Sequence, residues 1–348
     1  MIRFLSICFL FLSMHCFGQY DTSGWSNKAE SHQDLQSAKK QAEANPNDAA
    51  AWEAYYIASR FNFWSGPHKS LSKQENDELN KIAIEMNTRF PGSNEAAYVN
   101  YQQNQFTAAG VDFIKNLDPR DKLLAEIDAA YTQNDFNLAQ TRCVELKNQG
   151  AFSQDLIDYH KATLLLLPRN AIFITNGFYD TYPALICQMT TGLRSDVTIV
   201  PLDYLEHEGF RERIASKLEY KASYLDTDRT KKFRRLMNAN TGVVHASLML
   251  PASLLNEVYG GEINGLSYSI VRLDRERLWK EIDFYLLYKD LNPAAPVNRN
   301  HLPMMVSFYH HLMDQGKEYQ AKDVKQLAES IAENHGFETL IAEMLLRE

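Results

Sequence analysis

Pro168-Arg169-Asn170-Ala171-Ile172-Phe173-Ile174-Thr175-Asn176-Gly177-Phe178-Tyr179-Asp180-Thr181-Tyr182-Pro183 decides how the rest of the chain is read. Ala171 to Thr175 is a short apolar run, rich in β-branched and aromatic residues and bounded by Pro168 and Asn176-Gly177. That composition predicts a buried strand ending in a tight turn. Asp180 or Thr181 is expected to cap the following helix, with Pro183 near its first turn, where a missing N–H is harmless.

Outward from this unit the hydrophobic period changes. Upstream, Leu35, Ala38, Ala42, Ala51, Trp52, Ala54, Tyr55 and Ala58 recur at helical spacing, broken at Asn45-Pro46-Asn47-Asp48. The same grammar returns around Pro91-Gly92-Ser93-Asn94 and again at Thr132-Gln133-Asn134-Asp135. Tyr131, Phe136, Ala139 and Leu146 resemble the interlocking positions of a tetratricopeptide αα-hairpin. Residues 31–167 are therefore read as tetratricopeptide-like helical repeats, with an ordinary helical bundle as the competing reading. Phe63-Trp64-Ser65-Gly66-Pro67 marks an insertion that lengthens the spacing between repeats.

Downstream, four strands are predicted, at 171–175, 196–200, 241–247 and 267–271. Helical patterns lie between them at 182–191, 207–222 and 252–258. Alternation of this kind predicts a mainly parallel sheet built through right-handed crossovers. The expectation for 168–273 is a small Rossmann-like, four-stranded α/β module. Helices return in 274–348: an apolar stripe of Leu278, Ile282, Phe284, Tyr285 and Tyr288, then a hairpin through Leu302–Met313 and a second helix bearing Tyr319, Ala321, Val324 and Leu327. A last helix is expected at 337–346. The fold class is thus α + α/β.

The N-terminus orders one basic residue (Arg3), an apolar core from Phe4 to Leu12 and small residues near Gly18, the pattern of a secretory signal peptide over 1–18. A polar lead-in follows at 19–30. Met14 and His15 weigh against lipidation of Cys16, because such sites prefer small residues before the cysteine. Beyond the leader, 35 basic residues face 44 acidic ones. That balance argues against a nucleic-acid partner. No later apolar run reaches the ~18 residues of a membrane span, so any membrane association is expected to be peripheral. Cys143 and Cys187 sit among apolar neighbours in helical patterns, where two buried thiols are favoured over a disulfide.

Ligands of open parallel sheets bind beyond the carboxyl ends of the strands. Those ends carry Asn176, Gly177, Asp180 and Thr181 after the first strand, Asp203 after the second and Ser247 at the third, which makes Asn176, Gly177, Asp180, Thr181 and Asp203 the candidate ligand-binding set. Turn and cap roles compete for every one of them. No glycine-rich dinucleotide fingerprint and no Gly-x-Ser-x-Gly elbow occurs, and the histidines at 301, 310 and 311 lack His-Glu-x-x-His spacing. No catalytic residue, metal or cofactor is assigned.

Asn170 to Gly177, then Asp180-Thr181, Pro183, Gly192, Arg194 and Asp196-Val197, with Gly265-Leu266-Ser267-Tyr268 later, resemble the soluble C-terminal region of bacterial multi-pass membrane proteins related to protein O-mannosyltransferases. The resemblance covers about 168–273. Phe178 and Tyr179 replace acidic and amide residues of that family's Asp-Asn-Asp-Thr, and the membrane-embedded transferase part is absent. What the resemblance implies is an α/β and tetratricopeptide-like accessory architecture in a bacterial envelope, without transferase activity. The expected function is an exported, periplasmic or envelope-associated scaffold that binds a protein partner. The alternative is a glycan- or small-polar-ligand binder, or an enzyme, using the strand-end set. Exposure of Asp180 separates the two.

Overall fold

The computed structural model describes residues 34–64, 71–105, 108–239, 243–270 and 288–346. The leader, the lead-in, Cys16, part of the 63–67 insertion and the Leu278–Tyr285 part of the stripe lie outside the described residues. The described chain is α+β and mostly helical, with one small mixed sheet.

Strand β1, Ile172–Thr175, is central and buried along its whole length. β2, Thr198–Pro201, and β3, Val244–Ser247, flank it in parallel, with Ile172 opposite Thr198 on one side and Val244 on the other. β5, Ser267–Ser269, runs antiparallel to β3, and β4, Glu262–Asn264, pairs antiparallel with β5. The order β2-β1-β3-β5-β4 corrects the expected four-stranded, mainly parallel sheet to a five-stranded mixed one. Two features account for the difference. β4 has three residues and a single apolar one, too little for periodicity to register. Gly265, at φ 62°, opens a two-residue loop between Asn264 and Ser267, and such a loop can only reverse the chain into a hairpin.

The helix after β1, Phe178–Thr191, starts one turn earlier than expected. Gly177, at φ 80°, is its N-cap, so Asp180 and Thr181 are inside the first turn rather than capping residues, and Pro183 lies within the helix. Gly192, at φ 68°, ends it in the left-handed conformation that lacks a Cβ penalty.

By contacts the described chain divides into two compact units, each of more than one segment. One comprises Phe152–Pro201 and the described residues from Leu236 onward; the other comprises the described residues up to Ala151 together with Leu202–Arg235. The expected change of period at Pro168 falls inside the first of these. In that unit, helix Gln154–Leu166 packs on Phe178–Thr191 and on the 3-10 turn Pro296–His301, and Leu302–Asp314 pairs with Glu318–His335 as a hairpin.

The other unit is built of successive helix pairs: Leu35–Ala44 with Ala49–Trp64, Lys73–Arg89 with Asn94–Asn104, and Pro119–Thr132 with Phe136–Asn148. Short capped breaks set them. Ser72 and Glu75 bond reciprocally across the first turn of Lys73–Arg89. Asp118 accepts from the N–H groups of Arg120 and Asp121 with Pro119 at the first helical position. Leu202–Arg235 grips the last pair: the Tyr204 hydroxyl donates to buried Asp128, and Arg213 reaches the carbonyls of Tyr131 (3.2 Å) and Thr132 (3.5 Å). A guanidinium there adds donors to the last carbonyls at the negative end of the Pro119–Thr132 helix.

Candidate functional site

Both neighbours of β1 are parallel to it, and the chain reaches them in opposite directions. The carboxyl ends of β1 and β3 therefore define a topological switch point, the usual ligand position of an open α/β sheet. Four of the five candidate residues converge there. The Asn176 N–H donates to Asp180 Oδ2 at 2.8 Å, and Ser247, the last residue of β3, donates its hydroxyl to Asp180 Oδ1 at 2.7 Å. Ser247 Oγ in turn accepts from the Met249 N–H at 3.1 Å. The Thr175 and Thr181 hydroxyls pair at 3.0 Å. Gly177 is exposed and Asn176 half-buried.

Asp203 does not join them. It lies in the other unit, ion-paired with Arg229. Its place two residues beyond β2 suggested a strand-end role, but the chain turns into the 3-10 segment Leu202–Glu206 and leaves the sheet.

The centre of the cluster is closed to solvent. Asp180 is 1% exposed and Ser247 is also 1% exposed. Burial pushes the Asp180 carboxyl up to about 7, against the lowering effect of its Ser247 and Asn176 hydrogen bonds. Its nearest cationic candidate is His160, whose Nε2 is 3.8 Å from Asp180 Oδ1. That nitrogen is engaged elsewhere, 3.1 Å from the Tyr179 carbonyl. A carbonyl only accepts, so Nε2 carries the ring proton and Nδ1 does not. Burial pushes the His160 ring down to about 4, keeping it neutral.

His160 was invisible as a site residue because nothing in its spacing distinguishes it from other polar positions of an amphipathic helix. Two further buried histidines share its character: His245 of β3, with Nδ1 2.9 Å from Ser267 Oγ, and His301, with Nδ1 3.2 Å from the Tyr288 hydroxyl.

Arg194 and Asp196, which carried part of the family resemblance, form a brace. The Arg194 guanidinium holds Asp196 through two hydrogen bonds of 2.8 and 2.9 Å. It also donates to the carbonyls of Leu164 (2.9 Å), Leu165 (3.4 Å), Leu167 (2.7 Å) and Pro168 (2.7 Å), at and just beyond the end of helix Gln154–Leu166. Asp196 Oδ2 then accepts the Asn170 N–H at 2.8 Å, fixing the entry to β1. The Arg194 hydrogen bonds hold the Asp196 carboxyl well below the usual carboxylate range.

Among the described residues no group of His, Cys, Asp or Glu side chains is placed to hold a metal ion, and no helix is long and apolar enough to cross a membrane. Cys143 and Cys187 are both buried free thiols. No family model, curated protein or solved structure matches the chain.

Proposed function

We propose that this chain is an exported, envelope-associated accessory protein. Its tetratricopeptide-like helical hairpins bind a protein partner, and its Rossmann-like sheet serves as a structural module rather than a catalytic one. The observation that carries the reading is the state of Asp180. Its carboxyl is buried and taken up by a backbone N–H and the Ser247 hydroxyl, which joins two strand ends where a ligand would otherwise sit. Successive helix pairs with small buried residues at their contacts, Ala38, Ala42, Ala96, Ala97 and Ala139 among them, suit a repeat surface for protein recognition.

The test compares wild type, Asp180→Asn and Asp180→Ala for denaturant stability and for recovery of co-purifying proteins from the envelope fraction of the source cells. A scaffold whose Asp180 is structural keeps the same co-purifying set in Asp180→Asn. Loss of that set, or of any measured turnover, in an Asp180→Asn protein as stable as wild type overturns the reading in favour of a working strand-end site.

A further inference from the structure

His207-Glu208-Gly209-Phe210 places an imidazole where a helix start ordinarily carries Ser, Thr, Asp or Asn. Helix Glu208–Lys217 begins directly after His207, and the Phe210 N–H donates to His207 Nδ1 at 3.2 Å. A backbone N–H only donates, so Nδ1 is the unprotonated nitrogen and the cap exists only while the ring is neutral. A proton on Nδ1 removes the lone pair, sets a cation against the positive end of the helix and leaves a first-turn amide without its acceptor. Ser, Thr and Asn caps have no such dependence.

The capped residue is also the anchor of its helix. The Phe210 ring is fully buried, 6.1 Å from the ring of Tyr131 and 5.8 Å from that of Tyr204. The Arg213 guanidinium lies 4.6 Å from the centre of the same ring while it reaches the Tyr131 and Thr132 carbonyls. The N–H that His207 holds therefore belongs to the residue through which segment 202–217 bears on helix Pro119–Thr132. The surroundings oppose a proton: partial burial, then Arg213 and Arg211, push the His207 ring below its ordinary value, and Glu208 acts the other way. The helix packs on the turns Leu202–Glu206 and Ala222–Tyr224, and the acids there are engaged: Glu206 with Lys232 at 2.5 Å, Asp203 with Arg229, and Asp226 at 3.9 Å from Arg211. His160, His245 and His301 are buried, and a proton reaches them only as the fold opens. His207 is half-buried, so solvent reaches it in the folded chain.

We propose that His207 is a proton-operated release on the hold that segment 202–217 has on helix Pro119–Thr132. Protonation abolishes the cap, Phe210 and Arg213 lose the fixed first turn that aims them, and the Tyr131 ring is uncovered. The folded pKa lies below the unfolded value of about 6.5, so the cap's contribution is full above about 6.5 and is lost as pH falls through the lower, folded value. The trigger is local: it needs one ring to change state and no buried group to be reached. It does not rest on the partner-binding reading, and each can fail alone.

The experiment is amide hydrogen exchange of the whole protein at about pH 7.5 and about pH 5, read by mass spectrometry on segment 208–217 and corrected for the pH dependence of intrinsic exchange. Wild type is expected to open there about fivefold more at the lower pH, the equivalent of losing one cap. Helix Lys73–Arg89, capped by Ser72 and Glu75, should keep its protection at both values. His207→Asn, a cap that does not titrate, should hold the neutral-pH protection of segment 208–217 throughout, and His207→Ala should show the raised opening at both values. In wild-type protein labelled with heavy nitrogen at phenylalanine, the Phe210 amide resonance should move with the titration of the His207 ring. Equal pH dependence in wild type and His207→Asn, or a Phe210 amide that stays still while the ring titrates, overturns the proposal. So does an equal loss of protection in helix Lys73–Arg89, which would mark general acid unfolding.

Discussion

His160 Nε2 lies 3.1 Å from the carbonyl oxygen of Tyr179, the acceptor that residue 183 would serve in an unbroken helix were it not proline. Proline has no N–H, so a helix that contains one leaves the carbonyl four residues back in need of another donor. Here the donor is a side chain from the neighbouring helix, and the kink-prone residue becomes a point of attachment between two helices.

This relationship predicts coupling. His160→Ala is expected to cost about 2–4 kcal/mol, from a cavity plus an unserved carbonyl. Pro183→Ala restores a backbone N–H to the helix, and should recover about 1 kcal/mol more in the His160→Ala background than in wild type. Denaturant unfolding of the four proteins checks this; strict additivity would show that the contact carries no energy. The same histidine sets an acid limb. Its folded pKa, about 4, is below the unfolded value of about 6.5. The stability it confers is full above about 6.5 and is lost as pH falls towards about 4, at up to about 1.4 kcal/mol per pH unit.

Asp180 should act in the opposite sense. Its folded pKa, about 7, exceeds the unfolded value of about 3.9, so its contribution is full below about 3.9 and is lost as pH rises to about 7. Asp180→Asn retains a carbonyl for the Asn176 N–H and lets the Ser247 hydroxyl turn to accept from the amide. It should match wild type within about 1 kcal/mol near pH 5 and exceed it above pH 7. Asp180→Ala should lose about 2–3 kcal/mol, because the buried Ser247 hydroxyl and the half-buried Asn176 N–H both lose their acceptor. Melting temperatures of the three proteins between pH 4 and 8 test the order; an Asp180→Asn curve parallel to wild type throughout would contradict the raised carboxyl.

Arg194 combines a carboxylate and four carbonyls at and just beyond a helix end within one guanidinium, at φ 48°. Arg194→Ala should cost about 2–4 kcal/mol, and Arg194→Lys should recover less than half, since an ammonium cannot span both sets of acceptors. Because the Asp196 carboxyl is held low, its contribution is full above about 3.9 and lost as pH falls below that. Asp196→Asn should therefore lower stability at neutral pH and flatten the acid limb below pH 4, as measured by thermal unfolding.

Burial raises the Cys143 thiol to about 12, and Cys187 donates its thiol to the Ile157 carbonyl at 3.3 Å. Neither should react with a thiol reagent at pH 8 until denaturant is added. Titration of two thiols in the native protein within minutes would show that the helices carrying them open readily.

Strand β1 was legible because Ala171–Thr175 is apolar throughout and bounded by strong turn formers. β2, the strand part of 241–247 and the C-terminal hairpin were legible for similar reasons. Helix Arg229–Met237 was not: five of its nine residues are Lys or Arg, and only the packed structure shows which side carries Phe233, Leu236 and Met237. The N-cap was misplaced because Asp180 is a better capping residue than glycine in isolation, whereas the turn after β1 requires the positive φ of Gly177. Asn176, Gly177, Asp180 and Thr181 were found as a group because strand ends can be read from strands. His160 could not be, since its role depends on Pro183, which is distant in the chain and adjacent only in space.

The interleaving of segments 152–201, 202–235 and 236 onward has a consequence for how the molecule is made. Emerging residue by residue, the helices before Ala151 lack Tyr204 and Arg213 until the chain has passed through β1 and β2. Those two strands in turn wait for β3 before the sheet can close. No single cut releases either unit whole, so a truncated gene product ending near 201 would hold two unfinished bodies at once. Vectorial synthesis must carry both in suspension until the last third of the chain arrives.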